Sequence, residues 1–297
     1  MPPPTLKRPP VTLTPPTAQK TAAKPAKSFT LAPWTDHNEG EKICLYGKTG
    51  MGKTTLAAQI PGAVFIGIDD GGRKITNPLT NQPVNSIGGI TSFQDMRDAL
   101  HQRDLIPAKG TIVVDTVTKA EALAEQYIYA NYKLKGGVTP TSMRAYGWDG
   151  AAHSLDVIRL LLTDLDPHVR EGKNVILLAQ QSQIRIPNAE GLDYLEDGPK
   201  LAHNNQYSNR TEVCEWCDHV LRIGYLSFEV RGETDAKAGK VNTGDMKRAI
   251  FCGGAAHFVA KSRPIAGNHL PPVVSFDSQQ DNTLWQAIFE GLTFTQE

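Results

Sequence analysis

Eight consecutive residues, Gly47-Lys48-Thr49-Gly50-Met51-Gly52-Lys53-Thr54, constrain this chain more than any other segment. Their glycines free the backbone to turn with its N–H groups facing inward, because no Cβ blocks the positive-φ conformations such a turn needs. A short apolar run, Lys42–Tyr46 (KICLY), leads in, and a helix-forming stretch from Lys53 to Ile60, stopped by Pro61, follows. Strand, glycine-rich turn and helix in that order form a cradle for phosphate oxygens, to which the helix adds the positive end of its dipole. The Lys53 ammonium is a point charge for β- and γ-phosphates, and the Thr54 hydroxyl is a hard oxygen ligand suited to Mg²⁺. Gly47 through Thr54, with Thr55, is therefore the candidate nucleotide-binding segment, and ATP with Mg²⁺ the expected cofactor.

Such a loop needs an acid at the end of a neighbouring strand to hold the magnesium shell. Asp115 closes the apolar run Thr111–Val114 (TIVV) and suits that role; its other reading is a cap for the next helix. Hydrolysis also needs a group to orient the attacking water. Asp69 and Asp70 close the run Ala63–Ile68 (AVFIGI), and either can be that base or simply turn chemistry before Gly71-Gly72. Gln180, at the end of Asn174–Ala179 (NVILLA), is placed to sense the γ-phosphate or to serve as a polar strand terminus.

The apolar runs alternate with helical stretches. Ser92, with Asp95 three residues on, caps a helix to about Arg103, and further helices span about Lys119–Lys133 and Gly150–Glu171. This alternation predicts an α/β fold, a mostly parallel sheet flanked by helices. Beyond about residue 220 the texture changes to β-hairpins at Val220–Val230, Arg248–Cys252 and Phe258–Ala260.

The formal charge is zero, 31 basic against 31 acidic residues. Residues 1–35 hold Lys7, Arg8, Lys20, Lys24 and Lys27, no acid, and nine of the 20 prolines, so this stretch carries +5 and the remainder −5. A Pro-, Thr- and Lys-rich tail cannot bury enough apolar surface to offset its ordering entropy, which predicts a disordered tail over 1–38 and one folded domain over 39–297. The tail is either a solvated linker or a tether for nucleic acid or an acidic partner. No apolar run reaches the roughly 20 residues a membrane helix needs, and no signal-peptide core opens the chain. Four cysteines are too few for a disulfide scaffold at this length, so a cytoplasmic setting is expected. Cys214-Glu215-Trp216-Cys217 is a C-x-x-C that reads either as two buried apolar residues on one helical face or as half a zinc site, with His219, Cys252 and His257 also available.

The order GKTGMGKT, AVFIGIDDGG, TIVVDT, NVILLAQQ and late AKSR resembles the RecA-like ATPases encoded by bacteriophages, a group that includes phage single-strand annealing proteins. VVDTVTKAEAL, GLDYLEDGPKLAHN and EWCDHVLRI carry the same likeness, which runs from about Glu41 to about Leu270. The resemblance implies a RecA-like core that assembles subunit against subunit, with nucleotide near the interface. Asp69 falls where such proteins place a catalytic Glu, and Gln180 where they place a Gln that couples the γ-phosphate to a DNA-binding loop. Lys261 and Arg263 match a late basic pair that reaches a neighbour's phosphates; the plain alternative is a solvated turn before Pro264. Two segments match DNA-binding loops: about 133–148, with Lys133, Lys135, Arg144, Tyr146 and Trp148, and about 182–206. The second, with flanking Tyr207 and Arg210, holds Gln183, Arg185, Lys200, His203, Asn204 and Asn205, beside the acids Asp193, Glu196 and Asp197. Basic residues interleaved with aromatics suit backbone neutralisation and base stacking.

These features lead to an expected ATP-hydrolysing, RecA-like protein of phage DNA recombination that binds single-stranded DNA as an oligomer and promotes annealing or strand pairing. A separate single-strand binding protein is a further candidate partner, and the host cytoplasm the expected location. Two rival readings stand beside it: a nucleotide-gated assembly protein with little turnover, and a small-molecule P-loop kinase.

Overall fold

Val, Ile and Leu fill the central strands because those strands are covered on both faces, as parallel sheets require. The computed structural model describes residues 31, 39–68, 72, 74–188, 191–226, 230–231, 240–241, 247–265, 268–276 and 278–294. The chain divides into two units, Met1–Asp36 and His37–Glu297, and the architecture below is that of the second. Apart from Leu31, the tail expected over 1–38 lies outside the described residues.

The elements run β1 (Lys42–Gly47), α1 (Lys53–Ala58), β2 (Ala63–Gly67), β3 (Asn85–Ile87), α2 (Phe93–His101), β4 (Thr111–Asp115), α3 (Val117–Asn131) and α4 (Asp149–Arg170). They continue with β5 (Asn174–Ile186), β6 (Tyr194–Pro199), α5 (Asn209–Trp216), β7 (His219–Tyr225), β8 (Val230–Arg231), β9 (Lys240–Val241), β10 (Arg248–Phe251), β11 (Lys261–Ser262), β12 (Val273–Phe276) and α6 (Thr283–Phe289). The main sheet has the order β12-β10-β7-β1-β5-β4-β2-β3. From β7 to β3 neighbours are parallel, while β10 and β12 add antiparallel strands at one edge. The strand carrying Asp115 is therefore separated from the glycine-rich turn by one intervening strand, β5. This is the α/β core, a mostly parallel sheet flanked by helices, that the sequence predicts.

Alternate side chains of each strand enter two cores. Cys44, Tyr46, Ile112, Val114, Val175, Leu177 and Val220 pack against α2, α3, α4 and α5. Ile43, Leu45, Val113, Ile176, Leu178, Leu221 and Ile223 pack against α1 and α6. Each fully buried Leu, Ile or Val contributes roughly 1.5–3 kcal/mol. Ser92 begins α2 with a complete capping box, its Oγ accepting from Asp95 N at 3.1 Å while Asp95 Oδ2 accepts from Ser92 N at 2.8 Å.

The structure corrects three sequence expectations. The strand read as ending at Ala179 continues to Ile186 and pairs antiparallel with β6. Much of the 182–206 stretch is thus a hairpin, because the alternation Ser182, Ile184, Ile186 against Gln183, Arg185 is itself a strand pattern. The Val220–Val230 segment is chiefly β7, an interior strand beside β1, and pairs antiparallel with β10. No strand spans Phe258–Ala260, where Phe258 forms only isolated bridges to Asp197 and Ala255.

Candidate nucleotide-binding site

The glycine-rich turn leaves β1 at the carboxyl end of the sheet. Gly50 and Gly52 take φ of 81° and 95°, the left-handed region that glycine alone enters without strain. At Gly47 a Cβ would lie 2.7 Å from the Ile223 carbonyl oxygen, so β7 permits no side chain there. Lys48, Thr49 and Gly50 are exposed at the tip. Met51 is buried in the core beneath, so its side chain anchors the turn.

The helix α1 has six residues, too few to stand alone. Tertiary contacts hold it. The Trp285 indole on α6 donates to Leu56 O at 2.8 Å, and Gln59 Nε2 donates to Gln279 O and Asp281 O at 2.6 and 3.0 Å.

Lys53 is 7% exposed, and its ammonium donates to Gly47 O at 2.9 Å and Lys48 O at 3.1 Å. Burial pushes its pKa below the ordinary lysine value, and the Asp115 carboxylate opposes that shift. Thr54 Oγ1 donates to Asp115 Oδ2 at 2.9 Å across two strands. A hydroxyl and a carboxylate so placed are the hard oxygen donors that Mg²⁺ prefers, and the buried ammonium suits the phosphates beside it, so the residues fit Mg–ATP. Gln180 stands level with Gly47 on β5; its Oε1 accepts from Thr49 Oγ1 at 3.0 Å and from Lys53 Nζ at 3.4 Å. Thr55 is half-buried on α1.

Lys53, Thr54, Asp115 and Gln180 thus converge. Asp69 and Asp70 lie outside the described residues. Lys261 and Arg263 are not brought to the turn of their own chain. β11 pairs with His219 and Val220, at the opposite end of β7 from Ile223, the residue level with Gly47, on the order of 10 Å away. Arg263 is held there by Asp218 at 2.8 Å.

The expected DNA segments differ from each other. In 133–148, Lys133, Lys135, Arg144 and Trp148 are exposed, Trp148 at 91%. Tyr146 is not available for stacking: its hydroxyl donates to Tyr132 O at 2.6 Å and its ring lies edge-on to His153. In the second segment the arginines are matched by acids, Arg185 with Asp193 at 2.9 Å and Arg210 with Glu196 at 2.7 Å. Cys214 and Cys217 enter the core beside Cys44, and burial raises all three thiols, that of Cys214 to about 11. Among the described residues no group of three or more His, Cys, Asp or Glu is placed to hold a metal ion. No helix among them is long and apolar enough to cross a membrane.

Two features escaped the sequence because strands far apart in the chain assemble them. A cleft of about 790 Å³ beside Lys48 is walled by Gln183, Tyr225, Phe251 and Phe258. At its floor Arg222 donates to Asp197 at 2.9 Å and lies over the rings of Phe251 and Phe258. The second is Arg248, whose Nη1 lies 3.3 Å from where a Cβ on Gly52 would stand.

A phosphate-type turn between strand and helix, with an acid on the next strand but one hydrogen-bonded to its threonine, defines a P-loop NTPase. Residues 39–264 match the AAA domain family AAA_24, and the chain belongs to it. A search of the curated proteins finds no match. Among solved structures, the KaiC-like protein PH0186 from Pyrococcus horikoshii OT3 is similar at 13% identity and a TM-score of 0.39, over 80% of this chain and 90% of that one. The flagellar accessory protein FlaH from Methanocaldococcus jannaschii is similar at 11% identity and a TM-score of 0.40, over 80% and 85%.

Proposed function

We propose that the chain binds Mg–ATP at Gly47–Thr55 and hydrolyses it, and that hydrolysis serves phage DNA recombination on single-stranded DNA. The observation that carries the first part is the convergence of buried Lys53 with the Thr54–Asp115 hydrogen bond. Lys53 moves from carbonyl oxygens to phosphate oxygens, a stronger, charge-assisted partner. Thr54 and Asp115 would hold Mg²⁺, which when bound would neutralise charge on the phosphates. Gln180 faces the same ammonium from β5, and β5 continues directly into the hairpin with β6. A change of partner at Gln180 therefore has a covalent route into the second expected DNA segment.

Support for DNA comes from the sequence resemblance and from the exposed Trp148, Arg144, Lys133 and Lys135. Bases would stack on Trp148 while the cations neutralise phosphates. Oligomerisation through Lys261 and Arg263 belongs to the same proposal. What supports it is the resemblance, which matches the pair to one that reaches a neighbour's phosphates; in this chain Arg263 is paired with Asp218 and would have to leave it to do so.

The test is the rate of phosphate release by the full chain with and without single-stranded DNA. Stimulation by DNA supports the whole proposal. A slow rate indifferent to DNA removes the recombination role and favours a nucleotide-gated assembly protein. Turnover only with an added small acceptor favours a kinase.

A further inference from the structure

We infer that Arg248 is a nucleotide-positioning residue supplied by the subunit's own chain, contacting the α- and β-phosphate part of the nucleotide. The inference rests on the nucleotide-binding reading of the P-loop and adds a residue that no motif marks. Arg248 opens β10 and pairs with Tyr225, two residues past Ile223, which is level with Gly47. It therefore stands just beyond the sheet's carboxyl edge, where the turn lies. Its Nη1 approaches the Cα–H face of Gly52, immediately before Lys53. A Cβ at Gly52 would stand 3.3 Å from Nη1, close enough that the guanidinium would have to shift by a few tenths of an ångström, while the φ of 95° is what reserves the position for glycine. Among the described residues the guanidinium has no ion-pair partner, unlike Arg222, Arg210 and Arg263.

Direction along the nucleotide follows from the sheet order. Asp115 on β4 and Gln180 on β5 mark one flank of β1 as the metal and γ-phosphate side. β7 and β10 form the other flank. A nucleotide whose γ-phosphate points toward Asp115 and Gln180 presents its inner phosphates and nucleoside toward Arg248. A delocalised, always-charged fork with no acid partner among the described residues is suited to phosphate oxygens there.

Calorimetric titration of the full chain with Mg–ADP and with the slowly hydrolysed Mg–ATPγS tests this. Arg248→Ala should weaken both by a similar factor of roughly 10- to 100-fold, the scale of one charge-assisted hydrogen bond. Arg248→Lys should recover part of the loss. Thermal midpoints without nucleotide establish that the variants fold, with Arg248→Gln replacing the alanine variant if it does not. Unchanged affinity for both nucleotides overturns the inference, and so does a loss confined to ATPγS, which would place the guanidinium at the γ-phosphate. If wild type binds neither nucleotide, the P-loop reading itself falls. If Lys53→Ala abolishes binding while Arg248→Ala does not alter it, only the role of Arg248 falls.

Discussion

Thr54 and Asp115 meet at 2.9 Å although 61 residues separate them, the hydroxyl on α1 donating to the carboxylate that ends β4. Each is held from behind. α1 is pinned by Trp285 and Gln59, and β4 lies between β5 and β2 with Asp115 buried. Two hard oxygens fixed by rigid elements are preorganised, so on the proposed reading little reorganisation would be needed for them to hold Mg²⁺.

Asp115→Asn should reduce Mg²⁺-dependent turnover about 10²–10³-fold, the usual cost of removing one preorganised electrostatic group. Thr54→Val should do the same, while Thr54→Ser, which keeps the hydroxyl, should retain most activity. Steady-state phosphate release across a Mg²⁺ titration distinguishes these variants.

The exposed and the neutralised arginines should behave differently toward DNA. Trp148→Ala combined with Arg144→Ala should weaken single-stranded DNA binding and flatten its salt dependence, because a stacking platform and a free cation are lost. Arg185→Ala should change little, since Asp193 already neutralises Arg185. Fluorescence anisotropy with a labelled oligonucleotide at two salt concentrations makes the comparison. Deleting residues 1–35 in the same assay separates a tether, which lowers affinity, from a linker, which does not.

Lys53 gives a pH signature. Burial lowers its pKa, so between the folded and unfolded values the unfolded chain binds more protons. The folded state therefore gains stability as pH rises through that window, and Lys53 does not promote alkaline unfolding. Nucleotide affinity runs the other way, because only the ammonium attracts phosphate. Affinity should fall on the alkaline side at a lower pH than an ordinary lysine would give. Lys53→Arg, charged throughout, should flatten that alkaline arm in a titration of nucleotide affinity against pH.

Asp197 and Arg222 form a pair with side chains only 9% and 17% exposed, and Arg222 also rests on Phe251 and Phe258. Asp197→Ala leaves a largely desolvated guanidinium and should cost about 3–5 kcal/mol. Urea denaturation measures it. Asp197→Ala with Arg222→Met should recover stability, because an apolar pair of similar volume needs no charge compensation.

Local chemistry made much of this legible. The glycine spacing, the acid after TIVV, and Ser92 with Asp95 are each decided by neighbours in sequence, and each stands where the residues predict. Polar composition concealed the second half of β5, because Gln181, Gln183 and Arg185 resemble loop residues although their alternation is that of a strand. Arg222 and Arg248 carried no local signal, since their surroundings come from β6, β10 and the P-loop, brought together only by the sheet order. Cys214 and Cys217 carried a signal that fits two outcomes. Packing into the core beside Cys44 selects the apolar one.

The most direct measurement of the central claim is phosphate release by Lys53→Ala beside wild type, both with Mg²⁺ and both shown to fold. The account predicts turnover in wild type and only background in the variant, because Lys53 is the buried ammonium beside Asp115 whereas Lys48, the other cation of the P-loop, is exposed at its tip. Turnover retained by Lys53→Ala would contradict the assignment of the site.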